Sequence, residues 1–351
     1  MNVSTPSGFL KNSAGVSCAH DLGARKIDFS RYNEYQQRNE GVGMETKRIG
    51  EWLELVVPYK WDGKTVDRIM RKDLGVPRKL MHRFRNQRGV SLNDEFIHWK
   101  NTTVRAGDLM CIRLFEPQPL TVKPNNMPID VIYEDDHLLV VNKPSGVFTH
   151  PNFPTEDDTL VNGVAGYFVK EGIPSTPKYV HRLDRHTSGA ILFAKHDLAI
   201  AMLGKELQKR TIKRTYLAWA HGSISPEKGV ISHPTGKDPD HTIRRCVTED
   251  GQYAETHYEV LRYDAEKDAS LLKLQLETGR THQIRVHMSY VGHPLLGDTM
   301  YGGQGDLHYK QALHAAKLTF IHPFTEQSIQ CFAYPEESES LFTDEHVNAL
   351  K

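Results

Sequence analysis

The clearest periodic signal in the chain is the alternation of Leu272, Leu274 and Leu276 with Lys273, Gln275 and Glu277, which predicts a strand with one buried face ending at Gly279. Ile284, Met288 and Val291 follow at helical spacing, giving a helix over 281–291 that Thr281 is placed to cap and Gly292 to stop. Upstream, the apolar run from Ala190 to Ala194 reads as a short strand. Asp197 is placed to cap a helix with Ile200, Leu203 and Leu207 on one face. Residues 131–141, followed by Asn142, Lys143, Pro144, Ser145 and Gly146, read as strand, turn, buried strand, turn, and a further strand begins at Tyr216. Many short strands and few long helices predict an α+β fold: a mixed, largely antiparallel sheet with helices packed on it.

The N-terminal third has a different texture. Residues 1–46 are rich in Ser, Gly, Asn and Arg without a sustained apolar period, and are expected to be a disordered leader. The first strand is Trp52 to Val57. From Thr65 to Leu114 the pattern is helix, turn, helix, hairpin: Val66, Ile69 and Met70, a break at Gly75 and Pro77, then Leu80, Met81 and Phe84. Pro117, Pro119, Pro124 and Pro128 mark a stiff linker over 117–128, because proline fixes φ and disfavours helix before it. The expected organisation is a small module at 47–116, a larger domain at 129–335 and an acidic tail at 336–351 carrying Glu336, Glu337, Glu339, Asp344 and Glu345.

With 351 residues, 38% of them hydrophobic, the chain can bury one large core and still carry a smaller module. It has no run of the ~20 apolar residues that a membrane span needs, and its N-terminus lacks the pattern of a secretory signal. The four cysteines, at 18, 111, 246 and 331, form no Cys-x-x-Cys pair. A soluble, cytoplasmic, monomeric protein is expected. Lys plus Arg equals Asp plus Glu at 44 each, so overall charge says nothing about a polyanionic partner. The distribution says more: residues 60–90 hold ten Lys/Arg against three Asp, a net +7.

The richest chemistry lies in the run from His181 to Gly189, which sets Asp184 among Arg182, Arg185 and two histidines on a short loop entering an apolar strand. Asp184 is the candidate nucleophile. Two more segments add an aromatic and an arginine on ordered elements: Arg214 to Gly222, containing Tyr216 and Ala218, and Leu276 to Met288, containing Gly279, Gln283, Ile284 and Arg285. Together these runs resemble the RluA-type pseudouridine synthase family, which modifies ribosomal and transfer RNA, and the resemblance extends from about Ile129 to Pro335. The module before it is similar to a small RNA-binding domain named after a small-subunit ribosomal protein, with Ser91, Leu92, Asn93 and Asp94 in place of the usual Val-Asn-Gly turn.

The resemblance implies isomerisation of uridine to pseudouridine, in which the bond from ring nitrogen 1 to sugar carbon 1′ breaks and that carbon joins ring carbon 5. No atoms are gained or lost, and no cofactor or metal is expected. The reaction needs a carboxylate sheltered from bulk water, and a buried carboxylate needs a cation. Arg285, early in the proposed helix, is the candidate, able to bind through two parallel hydrogen bonds, and the family's matching arginine pairs with its aspartate. The resemblance further implies that Tyr216 stacks on the uracil, its hydroxyl assisting the final proton transfer, and that Arg182 assists base flipping. It makes the basic residues Arg78, Lys79, Arg83 and Arg85 an RNA-docking face. His181 and His186 are read as loop-ordering residues.

Large-subunit ribosomal RNA is the expected substrate, with transfer RNA and a non-catalytic RNA-binding assembly factor as alternatives. A metal-dependent hydrolase built from the histidines fits poorly, since His282 and His287 lie about 140° apart on a helix and no His-Glu-x-x-His occurs.

Overall fold

The computed structural model describes residues 43–153, 155–304, 310–336 and 341–351. The expected leader lies outside these residues except for its last four, and those are ordered. Met44 is buried, and its N–H donates to Phe324 O at 2.7 Å. Thr46 opens strand β1 (Thr46–Ile49). The boundary at residue 46 is therefore corrected: the chain from Gly43 onward belongs to the folded body.

The N-terminal module is an antiparallel sheet of β1, β2 (Trp52–Val56), β3 (Val90–Leu92), β4 (Glu95–Phe96) and β5 (Leu109–Arg113) in the order β1-β2-β5-β3-β4. A short turn of helix, α1 (Val66–Arg68), widens into a π-helical turn over Ile69–Asp73, and α2 (Arg78–Asn86) follows. The predicted apolar positions Val66, Ile69, Met70, Leu80, Met81 and Phe84 are all buried.

The larger unit is a ten-stranded sheet made from β6 (Asp130–Glu134), β7 (Leu138–Lys143), β8 (Lys178–Tyr179), β9 (Ser188–Ala194), β10 (Lys213–His221), β11 (Lys228–Ser232), β14 (Glu255–Asp264), β15 (Ala269–Leu276), β16 (Leu313–Ile321) and β17 (Ser328–Phe332). The main path runs β11-β14-β15-β10-β16-β9-β7-β6, with β17 paired to β16 and β8 to β9. A separate two-stranded ribbon joins β12 (Thr235–Lys237) and β13 (Arg245–Val247). Every pairing in the large sheet is antiparallel except β9 with β16, so the sheet is mixed and largely antiparallel, as the pattern of short strands implies.

Both faces of the sheet are covered, because its strands alternate between two cores. Tyr216, Ala218 and Ala220 pack with Leu272, Leu274 and Leu276 under α5 (Gln283–Tyr290), while Leu217, Trp219 and Leu271 point the other way. Likewise Leu139, Val141, Ile191 and Phe193 meet α3 (Leu160–Lys170), and Leu138, Val140, Ala190 and Leu192 meet α4 (Asp197–Gln208). This second group is continuous with the apolar residues of the N-terminal module, so the two units share one core.

Three sequence expectations need correction. The cap of α4 is His196, whose Nδ1 accepts from Ala199 N–H at 3.2 Å; Asp197 is the first helical residue and pairs with Arg83. The cap position of α5 is His282 in a left-handed conformation, not Thr281, and Val291 lies half outside rather than inward. The acidic tail is not a free appendage. Its helix α6 (Asp344–Asn348) docks on the sheet, burying Phe342, Val347 and Leu350 against Trp219 and Leu217, and Trp219 Nε1 donates to Leu341 O at 3.1 Å.

Candidate active site

The loop from β8 to β9 carries the predicted nucleophile and is held on both sides. The Thr149 hydroxyl accepts from Leu183 N–H at 3.1 Å and donates to Leu183 O at 2.8 Å. On the other flank the turn after β7 grips residues 185 and 186: Gly146 N–H and Lys143 Nζ donate to Arg185 O, and Ser145 Oγ donates to His186 O. Lys143 is fully buried, and its Nζ also reaches Pro144 O and Val147 O. Burial pushes its pKa down to about 7 against the pull of Asp184. In the sequence this Lys-Pro step shows only as a turn, although a lysine ending a buried strand is itself a signal that something accepts its protons.

These ties leave Asp184 on the wall of a cleft of about 470 Å³, which Tyr216, Arg285 and Arg182 also line. Arg285 Nη1 donates to Asp184 Oδ2 at 3.2 Å. The expected pair of parallel bonds goes elsewhere: Arg285 Nε and Nη2 donate to the two oxygens of Asp298 at 2.7 and 2.9 Å. Asp298, buried and absent from the sequence reading, orients the guanidinium, which also lies 4.8 Å from the centre of the Tyr301 ring. Burial opposes the charge on Arg285, and Asp298 with Asp184 overrides it, leaving its pKa raised. Among the described residues Asp184 Oδ1 accepts no hydrogen bond.

His282 also reaches the site. Its φ of 58° is rare outside glycine and brings Nε2 to 3.9 Å from Asp184 Oδ2, with Nδ1 at 2.8 Å from Tyr301 Oη. Burial lowers its pKa, opposed by Asp184. His287 faces away, bonded to Thr256 Oγ1 and His233 O. Gln283 ties the intervening loop together, accepting from Arg280 N–H and Thr278 Oγ1 and donating to Glu255 O and Thr256 Oγ1.

Tyr216 is buried within β10, with burial pushing its pKa up, Arg214 opposing and Asp184 adding to the rise. Arg182 is exposed and makes no side-chain ion pair among the described residues. His181 is buried, Nε2 accepting from Leu192 N–H at 3.3 Å. The basic helix α2 divides. Arg78 and Lys79 are exposed, but Arg83 pairs with Asp197 at 2.8 Å and Arg85 pairs with Asp67 and lies over Trp99. Two of the four residues expected to form an RNA-docking face therefore serve as internal ties, one of them between the two units.

Among the described residues no helix is long and apolar enough to cross a membrane. The family described as RNA pseudouridylate synthase matches residues 137–290, and that described as RluD ribosomal pseudouridine synthase N-terminal domain matches residues 53–110. The chain is 41% identical over 293 residues to the uncharacterized RNA pseudouridine synthase YhcT of Bacillus subtilis (strain 168), covering 83% of this chain and 97% of that protein. It is 37% identical over 255 residues to the ribosomal large subunit pseudouridine synthase D of Zymomonas mobilis, covering 68% and 80%. Among solved structures it is similar to human RNA pseudouridylate synthase domain containing 1, with a TM-score of 0.51 and 26% identity over 66% of this chain and 96% of that one. The matched segment of the synthase family spans the loop of Asp184, strand β10 and helix α5, and the chain belongs to the RluA-type RNA pseudouridine synthases, isomerases that act on RNA.

Proposed function

We propose that the chain converts uridine to pseudouridine in large-subunit ribosomal RNA, with Asp184 as the nucleophile. The observation that carries the chemistry is the asymmetric pairing of Asp184: among the described residues, Oδ2 is held by a single N–H of Arg285 while Oδ1 is left without a hydrogen bond, in the cleft that the buried Tyr216 also lines. Oδ1 attacks carbon 1′ of the extruded nucleotide and the bond to nitrogen 1 breaks, its electron pair staying on the uracil; the uracil turns, and carbon 5 bonds to carbon 1′ as the bond from carbon 1′ to Oδ1 breaks and frees the carboxylate. The proton on carbon 5 then leaves and nitrogen 1 regains one, with the Tyr216 hydroxyl assisting. Arg182 at the cleft supports the vacated stack.

The ribosomal assignment rests on the N-terminal match to the RluD-type domain and on the name of the Zymomonas relative. Arg78 and Lys79 supply the exposed charge for docking.

The test is a transcriptome-wide pseudouridine map in cells with the protein, without it, and with Asp184→Asn. The expected result is loss of specific sites in large-subunit ribosomal RNA in both altered strains, a drop of more than about 1000-fold in conversion for the variant. Sites lost from transfer RNA instead would move the substrate. Retained modification with Asp184→Asn would remove the catalytic role and leave an RNA-binding assembly factor.

A further inference from the structure

Arg214 is a cation of the cleft that the chemistry above does not use. Arg214 lies two residues before Tyr216 on β10 and lines the same cleft. Among the described residues its buried Nε has no hydrogen-bond partner, and Nη2 makes only a long contact of 3.4 Å to Thr278 O. The acidic residue lining the cleft nearby, Glu277, is paired with Lys213 at 2.9 Å, and Arg214 forms no ion pair among the described residues. Room is made for it: a Cβ on Gly279 would come within 2.7 Å of Nη1, so glycine lets the guanidinium lie against the main chain.

A second orphaned donor belongs to His181, a residue that lines the same cleft. His181 is 7% exposed, and because its Nε2 accepts from Leu192 N–H, its neutral ring carries the proton on Nδ1, which is buried with no acceptor among the described residues. Burial, and after it the charge of Arg214, depresses the basicity of His181, and both residues line the cleft. Two buried donors that lack acceptors, one carrying a full positive charge, are unfavourable unless an acceptor arrives. Resting on the reading of the cleft as the site where a nucleotide is bound, we infer that Arg214 and His181 form a built site for a backbone phosphate of the extruded nucleotide. The complement of an uncompensated guanidinium is an anion, and in RNA the charge resides on the phosphodiester. Arg210 and Arg280 line the same cleft and add to its positive potential.

The probe is a synthetic RNA stem–loop carrying the uridine identified by mapping. It is made with its natural backbone or with one neutral methylphosphonate linkage, 5′ or 3′ of that uridine. Conversion of the natural probe by the unaltered enzyme reports the function proposed above, independently of Arg214. Arg214→Gln is expected to lower kcat/KM about 10- to 100-fold, mainly through KM, as for loss of a charge-assisted hydrogen bond. It is also expected to flatten the slope of log affinity against log salt by about one. The neutral linkage at one of the two positions is expected to cost the unaltered enzyme a similar factor and Arg214→Gln little more. Equal losses in both proteins at both positions, or an unchanged salt slope, would overturn the inference and leave Arg214 as a structural residue or a contact to a uracil carbonyl. Should Arg214→Gln fail to fold, Arg214→Lys serves: it keeps the charge and loses the fork, so partial coupling to the same linkage is expected, and none would overturn the proposal.

Discussion

At the scale of single residues, the site is organised by sharing one guanidinium unequally between two carboxylates. Asp298 takes two N–H groups and Asp184 takes one, so the orientation of Arg285 is set from behind and, among the described residues, one oxygen of Asp184 accepts nothing. A symmetric fork between Arg285 and Asp184, which the sequence suggests, would engage both oxygens of the nucleophile. Asp298→Ala leaves a buried guanidinium with one partner, and is expected to destabilise the fold by about 3–5 kcal/mol. In the same variant kcat is expected to fall more than KM changes, because the ground-state contacts of the RNA are untouched. Denaturant titration and steady-state kinetics check both; a variant as stable as the parent, with kcat intact, would show that Asp298 does not position Arg285.

At the scale of elements, the nine-residue run works because its last residue admits a close approach between strands. Gly189 has φ of 112°, and a Cβ there would lie 2.3 Å from Ala315 O, across the one parallel contact of the sheet. Gly189→Ala is expected to cost about 2–4 kcal/mol through strain and clash and to lower kcat/KM as the Asp184 loop shifts; an unchanged denaturation midpoint would contradict this. What the chain displays openly is its local periodicity. Leu272, Leu274 and Leu276 announce β15, and the apolar run 190–194 announces β9, because burial on a sheet face leaves a period of two. What it conceals is set by partners distant in sequence. Phe342, Val347 and Leu350 are spaced among acidic residues that dominate the composition, and only the sheet they meet reveals them as core. Asp298 sits 13 residues from Arg285 with no periodic relation to it, and the caps of α4 and α5 are histidines, a residue type that capping rules do not favour.

At the scale of the whole molecule, the two units are welded by a shared core whose junction contains buried neutral histidines, and this gives the fold an acid-sensitive seam. His196 Nδ1 accepts from Ala199 N–H, so its proton is on Nε2 and is donated to His137 Nδ1 at 2.9 Å; His137 Nε2 then faces Thr46 Oγ1 at 3.3 Å, in the N-terminal module. Phe324 stacks on His137, Phe115 packs edge-on against His196, and Asp135, Lys178, Lys195 and His322 surround the pair. Burial pushes His137 to about 4, His314 to about 4 and His181 to about 3, and depresses His196 as well. The ordinary value is near 6.5, so between pH 6.5 and 4 the unfolded chain binds protons at these positions that the folded chain does not. Stability is therefore full above pH 6.5 and declines as pH falls toward 4, by about 1.4 kcal/mol per pH unit for each such histidine. Adding a proton to His196 would also turn its Nδ1 from acceptor to donor and break the cap of α4, which pairs with α2 through Asp197 and Arg83. Urea unfolding measured from pH 7.5 to 4.5 is expected to show this decline, and His196→Asn, which keeps an acceptor at the cap, to lessen its slope by about one histidine's share. A free energy of unfolding that stays level from pH 7 to 5 would mean that these rings take up protons in the folded state and that the junction tolerates their charge.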